Sequence, residues 1–201
     1  MLRIGITGGL STGKSTVTAM LSELGVPTIS ADAVGHRLLA TGSKCYAEIT
    51  ATFGDGILSD DGSIDRALLG AVVFADARKR LLLESLLHPA IWDEIDKWCR
   101  EHAERGACLV AIEVPLLFEA KLEHAVDEIW LVTCKPPSQL VRAIARGLTQ
   151  DEALARINAQ MPLEDKAWRA HRIINTDCSL EKTHTQVSEA LASVCGHRTQ
   201  D

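Results

Sequence analysis

The chain has 201 residues, which is enough for one sizeable hydrophobic core with a subdomain but few for two independent domains. Its apolar fraction of 46% is ordinary for a globular protein, and its net charge of −6 argues against nucleic acid as a partner. No apolar segment reaches the length of a membrane span and the first residues predict a strand, so we expect neither a membrane partner nor a secretory signal.

The six cysteines are scattered along the chain without a CxxC pair, and Cys108 and Cys134 lie in apolar runs. This pattern favours free thiols over a disulfide framework or a zinc site. We therefore expect a protein of the reducing cytoplasm. The sequence leaves its oligomeric state open.

Apolar runs alternate with helical patterns, which predicts an α/β fold with a parallel β-sheet flanked by helices. The predicted strands span residues 2–7, 26–30, 108–114, 128–134 and 172–175. Two helical segments interrupt the alternation and divide a single domain into three parts. These parts are a core (1–31, 106–135 and 172–201), a helical insertion (32–105) and a helical lid (136–171).

The first strand runs into a glycine-rich stretch with the spacing Gly8-x-x-x-x-Gly13-Lys14-Ser15, the pattern of a phosphate-binding loop. Glycines let backbone N–H groups converge on phosphate oxygens, and the following helix presents its positive end to them. We expect Lys14 to neutralise the β- and γ-phosphates of a nucleotide and the Ser15 hydroxyl to bind Mg²⁺. The core is therefore predicted to bind a nucleotide.

Asp32 directly follows the second predicted strand, at the carboxyl edge of the sheet. One possible role is that of a helix N-cap, which aspartate often fills. The other is that of a catalytic base, which orients an acceptor hydroxyl and accepts its proton late in phosphoryl transfer. The two roles are compatible with each other.

The insertion is helical in pattern apart from loop signals in FGDGILSDDGSIDR, and Pro89 is expected to separate two helices within LLHPAIWDEIDKW. Open α/β sheets bind ligands at the carboxyl ends of their strands, and an insertion after the second strand is expected to cover those ends. The insertion is therefore a candidate substrate-binding cap.

Glu113 ends an apolar strand and has two possible roles, a metal contact through water or an ordinary paired carboxylate. In the lid, Thr149 and Glu152 predict a capping box at the start of a helix. Arg142 and Arg146 stand four residues apart on one helical face, from which both could reach nucleotide phosphates. A solvated basic face is the alternative for this pair.

Six motifs together resemble, in order and spacing, the dephospho-coenzyme A kinase family. They are ITGGLSTGKST, ISADAV, DGSIDRALLGAVVF, LLHPAIWDEI, EVPLLFE and GLTQDEALARINAQMPLEDKAWRAHRIIN. The resemblance extends over residues 6–175 and implies a P-loop kinase fold. It also implies phosphorylation of the ribose 3′-hydroxyl of dephospho-CoA by ATP with Mg²⁺, the last step of coenzyme A synthesis.

The resemblance further implies the site residues. Those expected to bind ATP are Gly8, Gly9, Ser11, Thr12, Gly13, Lys14, Ser15, Thr16, Arg142, Arg146 and Asn175. Those expected on the dephospho-CoA side are Asp32, Arg66, His88 and the segment 115–119, which includes Pro115 and Leu116, and the segment 174–177 is expected to border the adenine. Lys14 and Asp32 are the expected catalytic residues. Ser30 stands where the family has the first acid of an Asp-Ala-Asp motif, so Asp32 is the only candidate base.

Two alternatives stay open at this point. The first is another small-molecule kinase of the same fold, with a nucleoside, nucleotide or sugar acid as acceptor. The second is a nucleotide-binding regulatory switch that acts on a partner protein. For His88, capping of the preceding helix is the alternative to a substrate contact.

Overall fold

The computed structural model describes residues 1–196, so the last residues of the predicted core segment, 197–201, lie outside the described residues. The chain forms two compact units. The first contains Met1–Ile29 and the chain from His102 onward, and the second contains Ser30–Glu101. The second unit nearly coincides with the predicted insertion, whereas the predicted lid belongs to the first unit.

The sheet has five strands in the order β2-β3-β1-β4-β5. They are β1 (Leu2–Gly8), β2 (Thr28–Ser30), β3 (Leu109–Glu113), β4 (Glu128–Thr133) and β5 (Arg172–Asn175). The pairs β1–β3, β1–β4 and β4–β5 are parallel. Each strand agrees with its prediction to within two residues, and the α/β fold of a P-loop kinase with a parallel sheet is confirmed.

Nine α-helices are assigned within residues 1–196. They are α1 (Lys14–Glu23), α2 (Ala31–Leu38), α3 (Lys44–Phe53), α4 (Arg66–Ala75), α5 (Ala77–Glu104), α6 (Pro136–Ala145), α7 (Gln150–Asn158), α8 (Leu163–Ala167) and α9 (Leu180–Gly196). Short 3₁₀ turns occur at Asp55–Ile57 and Glu123–Ala125. No helix within the described range is both long and apolar enough to cross a bilayer.

The central strands form the core of the first unit. Ile4 and Ile6 of β1 are completely buried, as is Trp130 of β4. Strands buried on both faces need near-continuous apolar sequence, which is what LRIGIT and EIWLVT provide. Apolar residues of α1 and α9 complete the same cluster, among them Leu21 and Val187. The core thereby fixes the end of β1, where the phosphate loop begins.

Three helices of the second unit begin at polar caps. The Ser30 side chain accepts a hydrogen bond from Ala33 N–H, Ser43 accepts one from Tyr46 N–H, and Asp65 caps α4. Each side chain satisfies a backbone donor that has no partner inside its helix. The loop signals between these helices correspond to the segment 54–65, as the sequence predicted.

The prediction that Pro89 separates two helices is wrong, because α5 runs without interruption from Ala77 to Glu104. A proline inside a helix removes one hydrogen bond and crowds the preceding turn, at a cost of about 3 kcal/mol. Packing of the following turns offsets this cost, since Ile95 and Cys99 are fully buried and Ile91 lies against Gly35. His88 is consequently a half-buried residue inside a helix and does not cap a helix end.

Gly8 provides a test of how tightly β1 and the loop are packed. A Cβ atom at Gly8 would lie 2.3 Å from the Val132 carbonyl oxygen, whereas nothing lies within 4 Å of a Cβ at Gly25. Both glycines have positive φ. We expect Gly8→Ala to lower the free energy of unfolding by about 3 kcal/mol through overpacking, and Gly25→Ala by about 1 kcal/mol through its φ angle alone. Urea denaturation measures both, and equal losses would show that the contact with Val132 has no effect.

Candidate active site

The phosphate loop connects β1 to α1 through three residues with positive φ. Gly8 has φ 154°, Ser11 has φ 57° and Gly13, which precedes the first turn of α1, has φ 96°. Glycine adopts such angles easily, and serine does so at an energetic cost. The loop therefore follows the predicted phosphate-binding pattern. Ser11 adopts a left-handed conformation that glycine adopts more readily.

Lys14 lies against the start of the loop. Its ammonium donates hydrogen bonds to the carbonyl oxygens of Gly8 at 3.2 Å and Gly9 at 2.8 Å. The Thr12 side chain is fully buried and donates to the same Gly9 carbonyl at 3.0 Å. These contacts place the positive charge of Lys14 against the backbone at the start of the loop.

A hydroxyl and a carboxylate lie side by side next to the loop. The Ser15 Oγ is 3.4 Å from Glu113 Oε1, and the Thr18 Oγ1 is 3.3 Å from Glu113 Oε2. The register of the sheet produces this arrangement, because Glu113 at the end of β3 is paired with Ile6 of β1. Glu113 is thus paired with two hydroxyls, and its carboxylate stands next to the predicted metal ligand.

These oxygens fit Mg²⁺, which prefers hard oxygen ligands and keeps several of its waters. Within residues 1–196 there is no group of three or more His, Cys, Asp or Glu side chains that could hold a metal. Mg²⁺ in kinases is typically held by one or two protein groups together with substrate phosphates, and Ser15 stays the predicted protein ligand.

The second half of the loop is held by Thr176, which follows β5. The Thr176 hydroxyl donates to the Thr12 carbonyl at 2.6 Å, and its methyl group lies 3.2 Å from the position of a Cβ on Gly13. Arg142 of α6 in turn donates to the Thr176 hydroxyl at 2.8 Å and to its carbonyl at 2.7 Å. Arg142 is therefore linked to the loop through Thr176. Its contact with phosphate stays a prediction.

Asn175 and Arg146, which were also predicted to bind ATP, belong to the first unit. Asn175 ends β5, and its side chain accepts a hydrogen bond from Asp177 N–H at 2.8 Å. The Ser138 hydroxyl donates to Asp177, and this bond, aided by Lys135, lowers the pKa of the Asp177 carboxyl below its usual value. Arg146 is exposed at the end of α6.

The segment 115–119 follows β3 and contains two predicted substrate residues. Thr7 donates to the Pro115 carbonyl at 3.2 Å, and Leu116 has nearly half of its surface exposed, whereas Leu117 and Phe118 are buried. A buried polar contact ends the segment. Glu119 forms an ion pair of 2.8 Å with Lys166 of α8, whose side chain is fully buried.

Glu119 and Gln160 attach the lid to the rest of the first unit. Glu119 Oε1 accepts a hydrogen bond from Met161 N–H at 3.0 Å, and Gln160 Oε1 accepts one from Leu10 N–H at 2.9 Å. The sequence predicted no role for Gln160 or Lys166, and for Glu119 and Thr176 it predicted only a place in the segments beside dephospho-CoA and the adenine. The only signal for them is that they belong to the family motifs EVPLLFE and ARINAQMPLEDK or follow the last strand.

The remaining predicted residues belong to the second unit. Asp32 is exposed in the first turn of α2, where Ser30 and not Asp32 fills the cap position. Arg66 is exposed at the first position of α4, and His88 is half-buried within α5. The N-cap alternative for Asp32 is therefore wrong, while the catalytic role stays a prediction.

Comparison with known proteins gives consistent results. A family model described as dephospho-CoA kinase matches residues 2–182. A dephospho-CoA kinase of Carboxydothermus hydrogenoformans is 46% identical over 94% of this chain and 92% of its own length. A crystal structure from Thermus thermophilus is similar with a TM-score of 0.83 and 34% identity over 96% of both chains. Dephospho-CoA kinase from Campylobacter jejuni has a TM-score of 0.71 and 25% identity over 98% of both chains.

The Glu119–Lys166 pair allows a test of the lid attachment. Glu119→Gln leaves the buried Lys166 ammonium without a counter-charge, and we expect the free energy of unfolding to fall by about 3 kcal/mol. Glu84→Gln, which breaks the exposed pair with Arg80, should change it by less than about 0.5 kcal/mol.

The double variant Glu119→Gln with Lys166→Met removes both charges and should recover much of the stability lost in Glu119→Gln. Urea denaturation of the four proteins measures these differences. If Glu119→Gln and Glu84→Gln had equal effects, the buried pair would contribute no more than a surface pair.

Proposed function

The chain belongs to the dephospho-CoA kinase family, as its sequence motifs predicted, and we propose that it transfers the γ-phosphoryl group of ATP to the ribose 3′-hydroxyl of dephospho-CoA. The product is coenzyme A, and the reaction is the final step of its biosynthesis. The family match over residues 2–182 is the observation that carries this conclusion. It makes the protein an ATP-dependent phosphotransferase. It favours dephospho-CoA over the acceptor of another small-molecule kinase, and an enzyme over a regulatory switch.

The phosphate loop is the proposed site of the ATP phosphates. The loop amides at the start of α1 donate hydrogen bonds to phosphate oxygens, and the helix dipole adds a favourable field. Lys14 is placed at the loop, where its ammonium exchanges the carbonyls of Gly8 and Gly9 for phosphate oxygens. Neutralising charge at the transferred group is the main task of a kinase, because the transition state for phosphoryl transfer is loose.

Ser15 and Glu113 are the residues that would hold Mg²⁺. The Ser15 hydroxyl would be the protein ligand of the ion, and the Glu113 carboxylate lies beside that hydroxyl. When bound, the ion would supply positive charge that offsets the negative charge of the phosphates. Glu113 also accepts a hydrogen bond from the Ser15 hydroxyl, so it orients this predicted metal ligand whether or not the carboxylate itself contacts the ion.

Asp32 is the proposed base for the acceptor. Its carboxylate would accept a hydrogen bond from the ribose 3′-hydroxyl and take its proton as the bond to phosphorus forms. Because Ser30 caps α2, Asp32 is not required to satisfy the helix terminus. Arg66, His88, Pro115 and Leu116 are the proposed contacts to the rest of dephospho-CoA, on the strength of the family motifs alone.

The lid is proposed to close over ATP and exclude water, because an open and hydrated site would favour hydrolysis. Arg142 and Arg146 supply positive charge from α6, and Asn175 borders the nucleotide at the end of β5. None of the six cysteines, all within the described residues, is in a disulfide bond, which suits the cytoplasm as the proposed location.

Product analysis tests the acceptor. The enzyme is incubated with ATP, Mg²⁺ and a panel containing dephospho-CoA, a nucleoside, gluconate and shikimate. We expect a mass gain of one phosphoryl group on dephospho-CoA only, with the new group on the ribose 3′-oxygen by ³¹P NMR. Turnover on another acceptor alone would assign a different kinase, and no acceptor-dependent ADP formation would leave the regulatory switch.

Asp32→Asn tests the proposed base. The substitution keeps the shape of the side chain but removes its capacity to accept a proton, so kcat should fall by about 10²-fold or more while the Kd for ATP is retained. Asp93→Asn removes the same charge from an exposed position of α5 and should leave kcat unchanged. Steady-state kinetics and calorimetric ATP binding separate the two effects. Normal turnover of Asp32→Asn would exclude the catalytic role.

A further inference from the structure

The first half of the phosphate loop makes an unusual turn. Ser11 follows Leu10 and has φ 57°, and Lys121 is the only other non-glycine residue of the described range with positive φ. The Ser11 side chain is buried, and its hydroxyl has no hydrogen-bond partner among the described residues. A left-handed serine persists only where its surroundings fix it, and the serine side chain itself supplies no such contact.

A lid residue instead holds the backbone of this turn. Gln160 Oε1 accepts a hydrogen bond of 2.9 Å from Leu10 N–H, one residue before the left-handed turn. Gln139 of α6 also approaches this half of the loop, since its Nε2 lies 2.7 Å from the position of a Cβ on Gly9. Two lid glutamines thus contact the two residues that precede Ser11, one of them by a direct hydrogen bond.

Gln160 is itself held in place. It lies in the short connection between α7 and α8, with its N–H bonded to the Ile157 carbonyl at 3.1 Å. The next residue, Met161, is bonded to Glu119, and Pro162 then restricts the backbone at the start of α8. The connection is therefore a fixed point from which the Gln160 side chain reaches the loop.

We propose that Gln160 is a positioning residue for the ATP site, which keeps the phosphate loop in its binding conformation by holding Leu10 N–H. The inference rests on the proposed role of this loop in binding the phosphates of ATP. A loop whose left-handed turn is already formed binds a triphosphate without first having to adopt that turn. If the binding-competent fraction of the free loop decreases, the apparent Kd for ATP rises by the same factor.

Gln160→Met is the variant that tests this role, because methionine keeps the length of the side chain and removes the acceptor oxygen. We expect the Kd for a non-hydrolysable ATP analogue to rise about three- to tenfold, the range that follows from losing one hydrogen bond. The kcat at saturating ATP and the KM for dephospho-CoA should stay within about twofold of wild type, because the lost bond acts before ATP is bound. Gln150→Met, on the exposed first turn of α7, is the matched control and should leave the Kd unchanged.

Ser11→Gly separates positioning from a general structural effect. Glycine adopts the left-handed conformation without penalty, so the loop should depend less on Gln160 in this background. We expect the effect of Gln160→Met on the analogue Kd to fall below about twofold when it is measured in Ser11→Gly. An unchanged Kd in Gln160→Met, or the same fold-change with serine and with glycine at position 11, would overturn the proposal.

Amide hydrogen exchange of the wild type keeps the proposal testable if Gln160→Met does not fold. Leu10 N–H should be protected in the nucleotide-free enzyme, and exchange at the rate of an unstructured amide would overturn the proposal. The same preparation is assayed with ATP and dephospho-CoA. An inactive wild type would refute the proposed function, whereas an active wild type with an unprotected Leu10 would refute only the role of Gln160.

Discussion

The phosphate loop is held by side chains far along the chain as well as by its own Thr12 and Lys14. Its backbone turns through positive φ at Gly8, Ser11 and Gly13. Side chains far along the chain fix it at both ends, Gln160 at Leu10 and Thr176 at Thr12. These partners lie in the lid and after the last strand. If Gln160 positions the loop as proposed, order in the lid and order in the loop are coupled.

The lid contains both fixed and exposed parts. The connection between α7 and α8 is held through Gln160, Met161 and the buried pair of Lys166 with Glu119. Desolvation offsets most of the attraction in such a pair, so its main effect is to specify where α8 packs, because any other position would bury an unpaired ammonium. Arg146 is exposed in the turn between α6 and α7. Movement on ATP binding is thus expected near Arg146 and not at the connection.

The sequence predicts those parts of the molecule whose signals are local. Glycine spacing identified the loop, apolar runs located all five strands, and Thr149 with Glu152 identified a capping box that the structure contains. Pro89 was misinterpreted because packing of the following turns outweighs its local preference. The contacts of Gln160 and Thr176 with the loop were missed for another reason. They join residues more than 100 positions apart, and no periodicity in either segment signals such a pair.

Arg142 has a structural contact that neither of its sequence alternatives, a phosphate contact or a solvated basic face, included. Its guanidinium is bonded to the hydroxyl and the carbonyl of Thr176, so it supports the loop through a neighbour. A guanidinium has five N–H donors, and these two bonds leave others for a phosphate oxygen. Lysine at this position could keep the charge, but a single ammonium does not reproduce the planar fork that spans both oxygens of Thr176. The shape of the arginine, and not its charge alone, therefore links the last strand to the ATP site.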